Sequence, residues 1–267
     1  MSIKYYLLPI IAAGIAAPIS QPAIAQTAAL EEIVVTARKR SETIMEAPLT
    51  LSAFTAEDIE YAGYSSITDL ITAVPGVTYE SYEAEGRGDS ASFRGVSINT
   101  GDPTLQNSSK FIDGVYVSGS LYTVLLDDLE RVEVIKGPQS ALYGRATFSG
   151  AINYITKKPT NEFEGNINAS IAEQGEYRLS GSLSGPIAKD QLFYRFSAGT
   201  FRQGSPYTNV TNGSEMGEQE INSFSGSLRF TPSEQLTADL VLMYSEAEFG
   251  ESARATTALN MGELAFP

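Results

Sequence analysis

Residues 129–144 read LERVEVIKGPQSALYG and residues 150–159 read GAINYITKKP, and these two segments decide the fold. Apolar and charged side chains alternate at 132–134, which predicts a β-strand. The pair Gly137-Pro138 ends that strand, because neither residue continues a regular ladder. Residues 152–156 predict one more short strand.

Two helix-start signals lie upstream of these segments. Thr55 with Asp58, and Ser66 with Asp69, have the spacing of capping boxes, in which a hydroxyl and a carboxylate satisfy free N–H groups. The sequence therefore predicts two short helices, the second ending at Pro75-Gly76.

A hairpin signal follows the helices. Residues 111–117 place Asp113-Gly114 between two apolar runs, the pattern typical of a two-residue turn. Helices, hairpin and strands together predict an α+β domain with glycine-rich loops over residues 48–159.

After Pro159 the pattern becomes a regular alternation of apolar and polar residues. Five runs share it: 163–171, 177–184, 192–198, 224–230 and 236–244. Their lengths approach the roughly 9 to 11 residues that a tilted strand needs to cross a bilayer. A soluble β-sandwich produces the same alternation, so both interpretations stay open on periodicity alone.

The connections between these runs favour the membrane interpretation. Short turns are predicted at 186–190 and 231–235, and a long polar stretch at 202–220. If the first strand rises from the periplasm, both short turns lie inside and the long stretch lies outside. That is the outer-membrane pattern.

The first residues predict a targeting segment. Lys4 supplies a positive charge, residues 5–17 are mostly apolar, and Ala23-Ile24-Ala25 has the small-x-small cleavage pattern. We expect a signal peptide over residues 1–25 and a mature chain beginning at Gln26.

The composition narrows the function. The 267 residues contain no Cys, Trp or His, which excludes disulfides, thiolate metal sites and a Ser-His-Asp triad. A net charge of -14 argues against nucleic-acid binding. No acidic pair suggests general acid/base work, so we expect neither an enzyme nor a cofactor.

The two segments quoted first resemble the second half of a plug domain from the TonB-dependent outer-membrane receptors. Residues 93–95 (FRG) and 111–115 (FIDGV) resemble two further plug strands. The resemblance covers nearly all of the mature chain. It implies an α+β plug domain followed by antiparallel transmembrane β-barrel strands, with a linker at 26–47, the plug at 48–159 and barrel strands at 160–267.

The five predicted strands are too few for such a barrel, since the receptors of this family have about 22. An unfinished barrel leaves unpaired strand edges in hydrocarbon. We therefore expect the sequence to be part of a longer receptor, or a truncated product without transport activity.

The linker contains a short stretch that resembles the energy-coupling TonB box: Glu32, Ile33, Val34, Val35, Thr36 and Ala37. An extended strand of this kind can add to the edge of a partner's sheet. The resemblance implies that the partner is TonB. The alternative is an ordinary first strand of the domain.

Candidate substrate contacts lie in loops that resemble the outward-facing apices of the plug. They are Arg87, Asn99 and Tyr122, which would offer hydrogen bonds and an aromatic face. The alternative is that they are solvated loop residues. A second set, Arg94, Arg131, Glu133 and Lys136, is expected to form charge pairs or hydrogen bonds between the plug and the barrel wall.

The function that the resemblance implies is energised uptake of a scarce solute, a ferric siderophore or similar metal complex being the commonest class. The expected partners are TonB, outer-membrane lipid and the small-molecule substrate. The alternative is a secreted or periplasmic plug-like binding module without transport activity.

Overall fold

The computed structural model describes most of the chain from residue 34 to residue 251. The described residues are 34–35, 42–43, 50–81, 89–96, 107–118, 121, 124–144 and 146–251. The predicted signal peptide lies outside them.

A two-stranded antiparallel ladder comes first in the chain. Strand β1 (Val34–Val35) pairs with strand β2 (Glu42–Thr43), Val34 opposite Thr43 and Val35 opposite Glu42. The side chain of Val35 is buried.

The plug domain follows, with helices and strands interleaved. Its elements are β3 Thr50–Thr55, α1 Ala56–Ala62, α2 Ile67–Thr72, β4 Val77–Ser81, β5 Asp89–Phe93, β6 Ser108–Ile112, β7 Val115–Val117, β8 Leu129–Lys136, α3 Ser140–Tyr143 and β9 Gly150–Thr156. Five strands form one sheet in the order β3-β8-β9-β6-β7, in which β6 and β9 are parallel and the other pairs are antiparallel. Strands β4 and β5 form a separate antiparallel pair.

Both predicted capping boxes are confirmed. The hydroxyls of Thr55 and Ser66 accept from the backbone N–H groups of Asp58 and Asp69, and each carboxylate accepts from its capping residue in return. Helix α1 ends at Gly63, which takes the left-handed conformation (φ 68°) that closes the helix. Helix α2 ends at Thr72, three residues before the predicted stop.

The Asp-Gly turn is also confirmed. Asp113 and Gly114 have φ of 51° and 80°, both in the left-handed region that a two-residue hairpin turn requires. Strand β8, at the centre of the sheet, is buried on both faces, with Val132 and Val134 on one and Glu133 and Ile135 on the other.

The principal core packs helix α2 and strands β4 and β5 against one face of the plug sheet. Leu70, Ile71, Phe93, Val134 and Tyr154 are all fully or almost fully buried there. This apolar contact fixes both helices relative to the sheet.

The second half of the described chain is an antiparallel meander, called the wall sheet here. It consists of β10 Glu164–Ile171, β11 Tyr177–Ala188, β12 Leu192–Gln203, β15 Gln219–Ser233 and β16 Leu236–Phe249, paired in that order. A small hairpin of β13 (Tyr207–Thr208) and β14 (Glu215–Met216) lies in the long connection between β12 and β15. Within residues 146–251 the sheet is open, with β10 and β16 at its edges.

The wall sheet confirms the predicted alternation. One face turns toward the plug domain, and its small polar side chains are buried: Ser180, Ser184, Ser197, Ser223 and Ser225. The opposite face carries exposed apolar side chains: Ile167, Leu179, Leu183, Phe196, Phe224, Leu228, Leu240, Leu242 and Tyr244.

The connections give the wall sheet two distinct ends. At the short-turn end, residues 189–191 and 234–235 join consecutive strands. At the long-loop end, residues 204–218 join β12 to β15. Among the described residues, no helix is long and apolar enough to cross a membrane.

Candidate substrate cavity and plug anchor

Residues 125–128, the anchor segment, hold the plug domain against the wall sheet. A 3-10 turn at Leu126–Asp128 leads into β8 and presents Asp128 to the wall. The Asp128 Oδ1 atom accepts from Arg195 Nε at 2.6 Å, and its Oδ2 accepts from Ser225 Oγ at 3.1 Å. Both charged side chains are about nine-tenths buried, so each satisfies a charge that would otherwise be costly there.

Further contacts of the anchor segment involve its other residues. Ser180 of β11 donates a hydrogen bond to the Asp127 carboxylate. Leu125 lies against Gly199, where an added Cβ would come within 2.6 Å of the leucine Cδ2. Glycine at this position therefore makes the room that the leucine side chain occupies on the wall.

The end of the plug domain is tied to the same segment. The Lys157 backbone N–H donates to Asp128 O at 2.8 Å, and Lys157 Nζ donates to Asp127 O at 2.9 Å. The chain thus passes from β9 toward the wall sheet directly beside the anchor.

A cavity of about 520 Å³ lies between the plug domain and the long-loop end of the wall sheet. Val124, Leu125 and Asp127 contribute to its plug side, and Phe201 and Gln203 contribute to its wall side. Its volume lies within the range of small-molecule sites. We call it the upper cavity.

Arg178 is the cationic side chain among the residues that line the upper cavity. Its guanidinium carbon lies 4.8 Å from the centre of the Phe201 ring, and Nη1 donates to the Ser65 backbone oxygen. No ion pair of Arg178 occurs within the described ranges, so its remaining donors are available to a ligand.

Ser65 belongs to the turn that opens helix α2. Asp69 Oδ2 accepts from Ser65 N at 3.3 Å, Ser65 Oγ at 2.9 Å and Ser66 N at 3.0 Å. Partial burial raises the pKa of Asp69, but the hydrogen bonds from Ser65 and Ser66 outweigh it, and the pKa is lowered overall. Asp69 therefore remains charged and holds the loop that Arg178 contacts.

A buried polar group lies behind the upper cavity. Asp89, which lines it, accepts from Lys110 Nζ at 3.4 Å and from Leu121 N at 3.2 Å. Burial raises the pKa of Tyr154 well above its usual value, and the Asp89 carboxylate adds to the rise. Asp89 therefore connects the cavity to the plug core.

The residues predicted as substrate contacts, Arg87, Asn99 and Tyr122, lie outside the described residues. Leu121 and Val124, on either side of Tyr122 in the sequence, line the upper cavity. Of the predicted TonB box, Val34 and Val35 form β1, and Glu32, Ile33, Thr36 and Ala37 lie outside the described residues.

The expectation that Arg131, Glu133 and Lys136 join plug to wall needs correction. Arg131 Nε pairs with Glu133 at 2.9 Å and Nη1 with Glu130, and Lys136 Nζ donates to Pro75 O at 3.0 Å, so these partners belong to the plug. The physical reason is that β8 is a central strand, whose neighbours are other plug strands. The backbone N–H of Arg94 likewise bonds within the plug, to Gly76 O at 2.7 Å.

The residues that do join plug and wall were not singled out by sequence reasoning. Alternation assigns Arg178 to the inward face and indicates the same for Arg195, as the structure confirms. Their partners, Ser65 and Asp128, lie 113 and 67 residues away in the sequence, and no local pattern connects them. Across the described ranges, no three or more Asp or Glu side chains group in a way that could hold a metal ion.

The architecture defined so far is a mixed α+β domain seated on the polar face of an antiparallel sheet whose other face is apolar. The sequence model of the family described as TonB-dependent Receptor Plug Domain matches residues 43–151. These residues therefore belong to the plug-domain family of TonB-dependent receptors, and the strands after them match the walls of those receptors.

Curated relatives extend the similarity past the plug. The pesticin receptor of Yersinia pestis is 30% identical over 222 residues, covering 80% of this chain and 32% of the receptor. The iron-regulated outer membrane virulence protein of Vibrio cholerae serotype O1 is 31% identical over 169 residues, covering 59% of this chain and 26% of its own length. The chain thus spans about a third or less of these relatives.

Solved structures agree on the fold. The ferric yersiniabactin uptake receptor FyuA from Yersinia pestis matches with a TM-score of 0.57 and 25% identity, over 70% of this chain and 29% of that one. The pyoverdine outer membrane receptor FpvA from Pseudomonas aeruginosa matches with a TM-score of 0.65 and 23% identity, over 80% of this chain and 30% of that one. The relatives and neighbours named here are receptors.

Proposed function

We propose that this chain acts in an outer-membrane receptor that binds a scarce solute at the cell surface and imports it with energy from TonB. The observation that supports this most directly is the plug domain seated on the wall sheet, with the upper cavity at the long-loop end. A ligand entering from that end meets the cavity before it meets the plug core.

The apolar outer face supports insertion into a membrane. Its exposed side chains extend across all five wall strands, and Leu240, Leu242 and Tyr244 of β16 are each more than half exposed. A continuous apolar surface of this kind is rare on soluble proteins and favours contact with lipid.

The substrate class we propose is a ferric siderophore or a similar metal chelate. The named relatives include iron-regulated and ferric-complex receptors. The chemistry of the cavity is compatible, because Arg178 offers donors to anionic chelator oxygens beside an aromatic ring. Arg87, Asn99 and Tyr122 remain proposed contacts from the plug loops.

Residues 32–37 are the proposed site of TonB contact. Val34 and Val35 already have the extended conformation that strand addition uses. In this proposal TonB binds the segment in the periplasm and pulls on the plug. Release of the solute follows from that movement, without any catalytic residue or cofactor.

Uptake of radioactive iron tests the proposal. A strain lacking the gene is grown under iron chelation and supplied with ferric complexes of catecholate, hydroxamate and mixed siderophores. We expect loss of uptake for one class and recovery on complementation. Unchanged uptake of every class, together with a soluble protein in cell fractionation, would support the plug-like binding module instead.

A proline substitution tests the coupling segment separately. Val34→Pro removes a backbone donor from the strand, whereas Val34→Ala keeps it. We expect surface binding of the ferric complex by both variants, and at least a tenfold loss of uptake only with proline, which corresponds to about one 1.4 kcal/mol step. Undiminished uptake by Val34→Pro would rule out this role of the strand.

A further inference from the structure

A second cavity, of about 390 Å³, lies beside the upper one along strand β10. Asn166, Asn168 and Ser170 of β10 line its wall side, and Ile59 and Glu60 of helix α1 line its plug side. It extends from the long-loop end toward the short-turn end, because Asn166 lies near the start of β10 and Ser170 near its end. We call it the lower cavity.

The two cavities meet at one place. Five residues line both: Ser65, Leu126, Asp127, Glu176 and Arg178. Within this set, Arg178 of the wall reaches across to the plug and donates to the Ser65 backbone oxygen. The side chain of Arg178 therefore lies at the boundary between the two spaces.

We propose that the contact between Arg178 and Ser65 is a gate that separates the upper cavity from the lower cavity. The proposal rests on the proposed transport function, since it assigns the two cavities to one route past the plug. When the contact opens, a solute in the upper cavity gains access to the polar strip of asparagine and serine on β10.

The relative strengths of the two plug–wall contacts support this assignment. The anchor combines a buried ion pair, two hydroxyl donors and an apolar contact in the Gly199 notch. The gate combines one hydrogen bond to an exposed loop with a half-buried Arg178 side chain on Phe201. A pull on the plug therefore opens the gate before it separates the anchor.

The gate also has a defined support on the plug side. Asp69 accepts from both the N–H and the hydroxyl of Ser65, which holds the Ser65 carbonyl in place for Arg178. Movement of the first turn of helix α2 moves the acceptor, so remodelling of this part of the plug is sufficient to release Arg178.

Labelling of single cysteines tests the gate without knowledge of the substrate, because the chain has no Cys of its own. Asn168→Cys reports on the lower cavity and Gln203→Cys on the upper cavity. The probe is a sulfonated, membrane-impermeant maleimide, applied to intact cells and to detergent-purified protein. Each cysteine is combined with native Arg178, Arg178→Ala or Arg178→Lys.

We expect Gln203→Cys to be labelled in every background. Asn168→Cys should be labelled slowly with native Arg178 and with Arg178→Lys, and about tenfold faster with Arg178→Ala, the effect of losing one charged hydrogen bond. Arg229→Ala is the matched control, because Arg229 pairs with Asp239 inside the wall sheet and lines neither cavity. It should leave both labelling rates unchanged.

Equal labelling of Asn168→Cys with native Arg178 and with Arg178→Ala, whether fast or slow, would overturn the gate. Retained protease resistance shows that the alanine variant has folded, and the lysine variant provides a second comparison if it has not. Failure of Gln203→Cys to react in intact cells contradicts the proposed surface orientation instead, and the comparison in detergent then still decides the gate.

Discussion

Asp128 of the plug domain and Arg195 of the wall sheet form a buried ion pair at 2.6 Å, although 67 residues separate them in the sequence. Arg195 also donates to Ser182 at 3.0 Å, and Asp128 also accepts from Ser225, so the pair joins the plug to three neighbouring wall strands. The geometry makes this pair the firmest point of attachment between the two parts of the described chain.

Removal of one partner should destabilise the protein strongly. Asp128→Ala leaves the Arg195 guanidinium buried without a counter-charge, and we expect a cost of about 3–5 kcal/mol in the free energy of unfolding. Urea unfolding in detergent, followed by circular dichroism, measures it. The matched control is Asp239→Ala at the more exposed Arg229 pair, where we expect about 0–1 kcal/mol. Similar costs at the two sites would contradict the anchor.

A double substitution separates charge from packing at the same place. Asp128→Leu with Arg195→Met replaces the buried pair by apolar side chains, which is often neutral or stabilising. We expect the double variant to recover most of the stability that Asp128→Leu alone loses. Additive losses would show that the hydrogen bonds to Ser182 and Ser225 matter more than the charge.

Alanine at two glycines should have opposite outcomes. At Gly150 a Cβ would meet the Ile135 backbone oxygen and the Phe93 ring at 2.7 Å, and neither can move without disturbing the core. We expect Gly150→Ala to cost about 1–3 kcal/mol. At Gly226 the nearest atoms belong to Phe196, at 3.4 Å on the outer face, so Gly226→Ala should be nearly neutral. The midpoint of heat denaturation compares them.

The first turn of helix α2 should lose its protection in acid. The pKa of Asp69 is lowered from 3.8 in the folded protein, so its contribution to stability is present above pH 3.8 and is lost as the pH falls through the lower folded value. Amide exchange at Ser66 and Asp69 between pH 6 and pH 3, under conditions where exchange follows local opening, reports this loss. Asp69→Asn should show weaker protection already at pH 6, with little further change on acidification.

Alkali should act through a different residue. Burial, with a smaller effect from Glu133, raises the pKa of Tyr143 to about 12, from 10.0. Its contribution to stability is therefore full below pH 10 and is lost as the pH rises toward 12. Ultraviolet titration of the phenolates should detect a late-titrating tyrosine that Tyr143→Phe removes. An unchanged titration curve in that variant would contradict the assignment.

Local patterns were sufficient to predict much of the fold. The capping boxes at Thr55 and Ser66, the Asp113-Gly114 turn and the alternation after Pro159 each depend on residues a few positions apart, and the structure confirms all of them. The predicted boundaries at residues 48 and 159, and the substrate and TonB contacts, stay predictions.

The sequence by itself determined which residues form strands and which wall side chains face inward, because a strand repeats every two residues and its turns have local signatures. Only the tertiary structure decided which partners meet: Asp128 with Arg195, Arg178 with Ser65, and Arg131 with carboxylates of its own domain. These contacts join distant segments through the packing of the plug on the wall, and no periodicity in the chain encodes a distance between two separate elements.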